Sequence, residues 1–280
     1  MVFRRIAALG ASYNRKELTL ASLQSLFAQS GAAHIELMVF LVDDASSDGT
    51  AAAVSSRFPK VRLLHGNGGL YWNGAMRVAF AAAMLEGFDA YLWFNDDSHF
   101  YEDALSKLVT CAESAAGDRL DAIVAGSMRD PQTGERTYGG YRKRTHGLKW
   151  RLEPIVPDEN APLPCDTVNG NFTLVPATIV KALGNLDGTF THQFGDVDYG
   201  LRARKAGFQL LVAPGYLGEC SGNSDEHTWR DRSWPRKERW AQLMSPKGAP
   251  VKEWWHFTRR HCGWRCPLYA VSPYLKTLFF

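Results

Sequence analysis

The sequence has no apolar run of 18 residues, few cysteines and almost no net charge. The first absence excludes a membrane-spanning helix, which needs about 20 consecutive apolar residues. After Arg4 and Arg5, "IAALGASYNRKE" turns polar too soon for the apolar core of a signal peptide. Only Cys262 and Cys266 of the five cysteines lie close together, and no second close pair completes a zinc site. An odd, scattered set reads as reduced thiols, which predicts a cytoplasmic protein. Net charge is only +3, too small to point to nucleic acid as a partner. No Gly-x-Gly-x-x-Gly follows the first apolar run, "ALGASYNR", which argues against a dinucleotide cofactor. What is present is 280 residues, 45% of them hydrophobic, enough for one large domain or a domain with an appendage.

Four short apolar runs each end in a polar cluster. They stop at Ser12 to Asn14, at Asp43 and Asp44, at Asn67, and at Asp96 and Asp97. Helical patterns follow at 17–29, 49–57, 73–87 and 101–116. This alternation predicts a doubly wound, mostly parallel α/β sheet whose strands are apolar on both faces. Ligands of such sheets bind beyond the carboxyl ends of the strands, so all four clusters should meet in one cleft. Residues 126–170 are rich in Gly, Pro and charge, which predicts hairpin and loop with a turn over 131–134. A strand and a helix starting near Pro176 come next, then a further helix and strand.

The polar clusters carry the chemistry. A carboxylate at a strand end, such as Asp44 in "VDDASSDGT", can accept from a base N–H or a ribose hydroxyl. Ser47 or Asp48 is placed to cap the helix that follows. In "HGNGGLYWNGAMR", the loop at Asn67, Gly68 and Gly69 allows close backbone approach to a ligand, and Arg77 can meet a phosphate. Asp96 and Asp97 in "YLWFNDDSHF" repel one another unless a cation compensates. Mg²⁺ or Mn²⁺ bridging a diphosphate supplies that charge with only one or two protein carboxylates. In "FGDVDYGLRARKAG", Asp196 and Asp198 open a helix, where Asp196 can serve as a general base towards a hydroxyl.

Taken in order, these segments resemble the inverting family 2 glycosyltransferases of GT-A fold. "ASYNR" is similar to that family's "TYNR", and "VDDASSDGT" to its "VDDGSTDGT". "NDD" stands at its DxD position, and "GDVDYGLRARKAG" is similar to "EDVDLCLRARKAG". The likeness runs from about residue 4 to 215. It implies that Ser12, Asn14, Asp44, Asn67, Gly69, Arg77 and Asp96 serve the donor nucleotide. Asp97 would hold Mn²⁺ or Mg²⁺ on the diphosphate, with His227 as a further ligand. Asp196 would be the catalytic base, with Asp198, Gly195 and Trp72 on the acceptor or sugar side. Two departures stand out: Asn95 replaces the first Asp of the DxD triplet, and Gly195 replaces the usual Glu.

The resemblance further implies a UDP-, dTDP- or GDP-linked sugar donor and a saccharide or lipid-linked acceptor in bacterial cell-surface glycan synthesis. Residues 1–218 would form the transferase domain and 219–280 a helical extension facing acceptor or membrane. That extension is basic and tryptophan-rich, with Trp229, Trp234 and Trp240 set among Arg230, Arg232, Arg236, Lys237 and Arg239. The pattern suits packing onto the main domain and also a peripheral position on an anionic membrane surface. Two other functions compete. A sugar-phosphate nucleotidyltransferase needs a Gly-rich basic loop after the first strand, where "GASYNRKEL" offers only Arg15 and Lys16. A non-catalytic nucleotide-sugar-binding protein would explain Asn95 and Gly195 but leaves Asp44, Asp97 and Asp196 without a purpose.

Overall fold

The computed structural model describes residues 3–116 and 121–279. The chain begins β1 (Arg5–Ser12), α1 (Lys16–Phe27), β2 (Glu36–Asp43), α2 (Thr50–Arg57), β3 (Arg62–His65), α3 (Tyr71–Glu86) and β4 (Ala90–Phe94). It continues β5 (His99–Phe100), α4 (Ala104–Ala116), β6 (Ala122–Arg129), β7 (Arg136–Tyr138), β8 (Gly140–His146) and β9 (Lys149–Pro154). Then come β10 (Leu163–Pro164), β11 (Thr167–Val168), β12 (Phe172–Pro176), α5 (Ala177–Leu183), α6 (Gly195–Lys205) and β13 (Gln209–Glu219). Three helices follow: α7 (Arg236–Met244), α8 (Val251–His261) and α9 (Cys266–Phe279).

The central sheet runs β10-β13-β6-β12-β4-β1-β2-β3 among the described residues, with β5 and β7 added beside β13 and β6. Strands β1, β2, β3 and β4 are mutually parallel, as are β6 and β13, and only β12 reverses between β4 and β6. The doubly wound, mostly parallel sheet expected from the sequence is therefore present. All five residues of β4 are buried because the sheet is covered on both faces. Leu92 and Phe94 join one apolar layer with Leu23, Leu26 and Leu108. Tyr91 and Trp93, pointing the other way, join a second layer with Phe80, Ile179 and Tyr199.

Parallel register brings the strand tips to one edge. Ser12 pairs with Asp43, and Asp43 with His65. The turn after β6 falls where expected, with the Gly134 N–H donating to the Asp130 carbonyl. The helix expected over 101–116 begins later, because His99 and Phe100 first pair with β13. A smaller sheet, β11-β8-β9, stands beside the main one. Trp150 of this hairpin shares a third apolar cluster with Phe190, Leu201 of α6 and Phe257 of α8. The extension is thereby fastened to the rim of the strand-tip edge.

Candidate active site

At the end of β4 the chain leaves the core with Asn95, Asp96 and Asp97 in succession. Asp96 is buried, and its Oδ2 accepts from the Thr19 hydroxyl at 3.3 Å. Arg15, just beyond β1, bridges the two acids: its guanidinium lies 3.3 Å from Asp96 Oδ1 and 2.6 Å from Asp97 Oδ2. Burial pushes the Asp96 carboxyl up to about 6, with Arg15 pulling it down and Asp97 pushing it further up. Asn95 has a different task. Its Oδ1 accepts the Trp72 indole N–H at 2.9 Å, and its backbone N–H donates to the Asn171 carbonyl.

These acids face a cleft of about 690 Å³, ample for a small-molecule ligand. Asp196 lies in the same cleft at the start of α6. Its two oxygens accept from the N–H groups of Gly170 at 2.8 Å and of Val197 at 2.7 Å. Burial raises its carboxyl above the usual carboxylate range, although both bonds favour the anion. Gly170 also carries the wall: a Cβ there would lie 2.3 Å from the Trp72 ring. His192 completes this side. Its Nδ1 accepts the Trp72 backbone N–H at 3.3 Å, which leaves Nε2 to carry the proton. Burial, with Lys247 and Arg15 nearby, holds His192 down at about 4, so it is neutral near pH 7.

Of the residues given a binding or catalytic role from sequence, Trp72, Asp96, Asp97 and Asp196 line this cleft together. The others given such a role do not. Ser12 is buried below it and hydrogen-bonds Thr19. Asn14 ties the first strand tip to the second, its Oδ1 accepting from the Ser47 N–H at 2.8 Å. Asp44 accepts the N–H groups of Gly68, Leu70 and Tyr71, so its carboxylate organises the β3–α3 loop. Asn67 accepts the Gly69 N–H in the same loop. Asp48 joins two helix starts, accepting from the N–H groups of Thr50 and Lys16.

Four candidates sit apart from the cleft lining. Arg77 is not among the cleft-lining residues, and its Nε donates to the Leu186 carbonyl at 3.1 Å. Asp198 is fully buried, bonded to Arg202, Arg260 and His261 at 2.7 to 2.8 Å, so no acceptor touches it. Gly195 faces Asn73 rather than ligand, and a Cβ there would stand 1.8 Å from Asn73 Oδ1. The Glu usual at this position in the family that the sequence resembles would have no room here. His227 is exposed, meets the Trp234 ring at a tilt with centroids 5.4 Å apart, and lies outside the cleft lining.

Sequence reasoning missed Arg15 as the counter-charge of the acidic pair. Its signal was its place directly after the first strand tip. His192 and Lys247 were missed as well, and nothing local marks them. Trp150, Trp254 and Phe257 form an aromatic wall contributed by the hairpin and the extension.

The donor set suits a hard divalent cation. Among the described residues no group of three or more His, Cys, Asp or Glu gathers to hold a metal alone. Asp96 and Asp97 offer only carboxylate oxygens beside open cleft, the arrangement that Mg²⁺ or Mn²⁺ completes with water and phosphate oxygens. Cys220 Sγ lies 3.4 Å from Asp97 Oδ1, but burial pushes its thiol up to about 12, so it stays protonated and no soft ligand competes.

Comparison with known proteins places this geometry. The fold is similar to the mannosyltransferase PcManGT from Pyrobaculum calidifontis, solved with GDP-Man and Mn²⁺: TM-score 0.57, 14% identity, 98% of this chain and 74% of that one covered. It is similar also to S. aureus TarS 1–349: TM-score 0.54, 15% identity, 78% of this chain and 60% of that one. At these identities the likeness is one of fold. No curated protein matches the chain by sequence. The family model for glycosyl transferase family 2 matches residues 11–167, from the first strand tip through the acidic pair to the small sheet. More than half of the chain is covered by that match, and the chain therefore belongs to glycosyl transferase family 2.

Proposed function

We propose that this glycosyltransferase moves a sugar from a nucleoside-diphosphate donor to a hydroxyl of a saccharide, with inversion and with the help of a divalent cation. The observation that carries the reading is the single cleft shared by Asp96, Asp97, Arg15 and Asp196. Asp97, with Asp96 beside it, would hold Mn²⁺ or Mg²⁺. The ion's contribution is to offset negative charge developing on the leaving diphosphate. GDP-Man and Mn²⁺ bound in the mannosyltransferase of similar fold support this assignment.

The chain's own groups do the rest. Asp196 takes the proton of the acceptor hydroxyl, and the freed oxygen attacks the anomeric carbon. The new C–O bond forms on one face as the bond to the diphosphate oxygen breaks on the other. A raised pKa makes Asp196 a better proton acceptor than an ordinary carboxylate. His192, neutral and donating through Nε2, is suited to an anionic or hydroxylated ligand. Trp72, Trp150 and Trp254 give aromatic faces for sugar rings along the same cleft. A UDP-, dTDP- or GDP-sugar as donor fits this site, as does a lipid-linked saccharide of a cell-surface polysaccharide, such as lipopolysaccharide, as acceptor. The work would then be done at the cytoplasmic face of the membrane.

A panel of UDP-, dTDP- and GDP-sugars incubated with Mn²⁺ tests the reading. Release of free nucleotide from at least one donor, abolished by EDTA, is the expected result. No release and no thermal stabilisation by any donor would remove it.

A further inference from the structure

Helix α9 is apolar on two sides. Cys266, Ala270, Pro273 and Thr277 are buried, a stripe spaced four, three and four residues apart. Rotated away from it, Leu268, Val271, Leu275, Leu278 and Phe279 are between 44% and 70% exposed. Val251 and Trp255 of α8, also about half exposed, extend this surface across an apolar groove of about 360 Å³ that Pro267, Ala270 and Tyr274 complete. Trp264, 67% exposed, stands where the two helices turn, with the Arg265 guanidinium 4.7 Å from its ring centre. So large an exposed apolar surface marks an interaction site.

The charge around it selects the partner. Lys252, Trp255 and Arg259 follow one another on the exposed face of α8, and Lys276 lies beside Leu275 on α9. The only acid between 251 and 279 is Glu253, which is buried and accepts from the Thr191 hydroxyl. The exposed faces of α8 and α9 thus present cations and tryptophans with no exposed carboxylate of their own. A second copy would oppose these cations with the same cations. Lipid phosphates complement them, and the apolar stripe suits the acyl boundary beneath. No helix among the described residues is long and apolar enough to cross a membrane. The geometry is that of a helix pair lying on a surface.

We propose that the outer face of α8 and α9 docks on an anionic lipid bilayer and holds the cleft against it. The same helix carries both functions: Trp255 faces the groove, while its neighbour Trp254 lines the cleft. Docking therefore brings the cleft to within about one helix diameter, ~10 Å, of the lipid surface, where the head group of a lipid-linked acceptor lies. This last step rests on the transferase reading; the docking does not.

Co-sedimentation of the full chain with vesicles tests it, using phosphatidylcholine alone and phosphatidylcholine with a third phosphatidylglycerol. Binding is expected to the anionic vesicles only, and to weaken at about 1 M salt, where screening shortens to about 3 Å. Joint reversal of Lys252→Glu, Arg259→Glu and Lys276→Glu should lower binding at least about a hundredfold, at about fivefold or more for each charge. Trp255→Ser with Leu275→Ser, both about half exposed, should lower it independently. Equal binding by these variants, no binding to anionic vesicles, or a dimer that Leu275→Asp dissolves would each overturn the docking. Nucleotide release measured on the same samples separates the two claims. A protein that turns over donor yet ignores vesicles refutes the docking alone, and one that binds vesicles but never releases nucleotide refutes the transferase reading alone.

Discussion

A carboxylate that accepts two backbone N–H bonds at a helix start ordinarily titrates low. Asp196 titrates high because removal from water outweighs those bonds. A base works only when ionised, so with Asp196 in the proposed role activity should rise with pH and its acid limb should fall above pH ~4, the ordinary carboxylate value. Asp196→Asn should lower kcat by about 10²–10⁴-fold while leaving donor binding nearly intact. A pH–rate profile beside a donor titration checks both, and normal turnover in the variant would show that the base lies elsewhere. At this scale the sequence was informative where chemistry and strand position coincide. Asp96, Asp97 and Asp196 follow strand or loop ends and reach the cleft. It was silent where contacts span long distances: Asp198 looks like a second helix-start acid but meets Arg260, 62 residues further on. Arg77 looks like a phosphate ligand until the chain beyond α5 returns to cover it. A carbonyl at Leu186 then claims it.

Helix α6 is held at its start by close packing and at its middle by charge. Gly195 touches Asn73, whose side-chain amide donates to the carbonyls of Asp187 and Phe190. Gly195→Ala should therefore cost about 1–3 kcal/mol through overpacking, and Asn73→Ala should relieve part of it. Melting of the single and double variants measures this, and additive losses would contradict it. One turn on, Asp198 and Asp187 share Arg260, each at 2.7 Å. Arg260→Ala leaves a buried acid short of one partner and should destabilise by about 3 kcal/mol. Both carboxyls are held below the usual carboxylate range. For Asp187 the bond from Thr189 and those from His256 and Arg260 overcome the opposing effect of burial. Depressed carboxyls stabilise the fold above their unfolded value, about 4, and that stability is lost as pH falls through their folded values. The Arg260→Ala melting temperature should thus fall less steeply with acid than that of the parent. Elements themselves were largely legible: α2 and α3 lie within two residues of expectation, since strand and helix periods differ clearly. The start of α4 was not, because pairing of β5 with β13 is a contact no local pattern reveals.

Across the whole molecule, the C-terminal segment presents two different surfaces, one to the cleft and one to the outside. The tryptophans of the basic tail looked equivalent. The fold divides them: Trp229 and Trp254 line the cleft, while Trp255 and Trp264 face outward. Adjacent positions on a helix differ by about 100°, so neighbouring residues part company once the helix packs. The proposed transfer nevertheless rests on the acidic pair at the end of β4. Its most direct test is calorimetric titration of a nucleotide-sugar donor with Mn²⁺ and with EDTA, in the parent protein and in Asp97→Asn. Mn²⁺ should strengthen donor binding in the parent, the variant should lose this gain, and its nucleotide release should fall at least about a hundredfold. Donor binding and release that stay equally Mn²⁺-dependent in Asp97→Asn would contradict it.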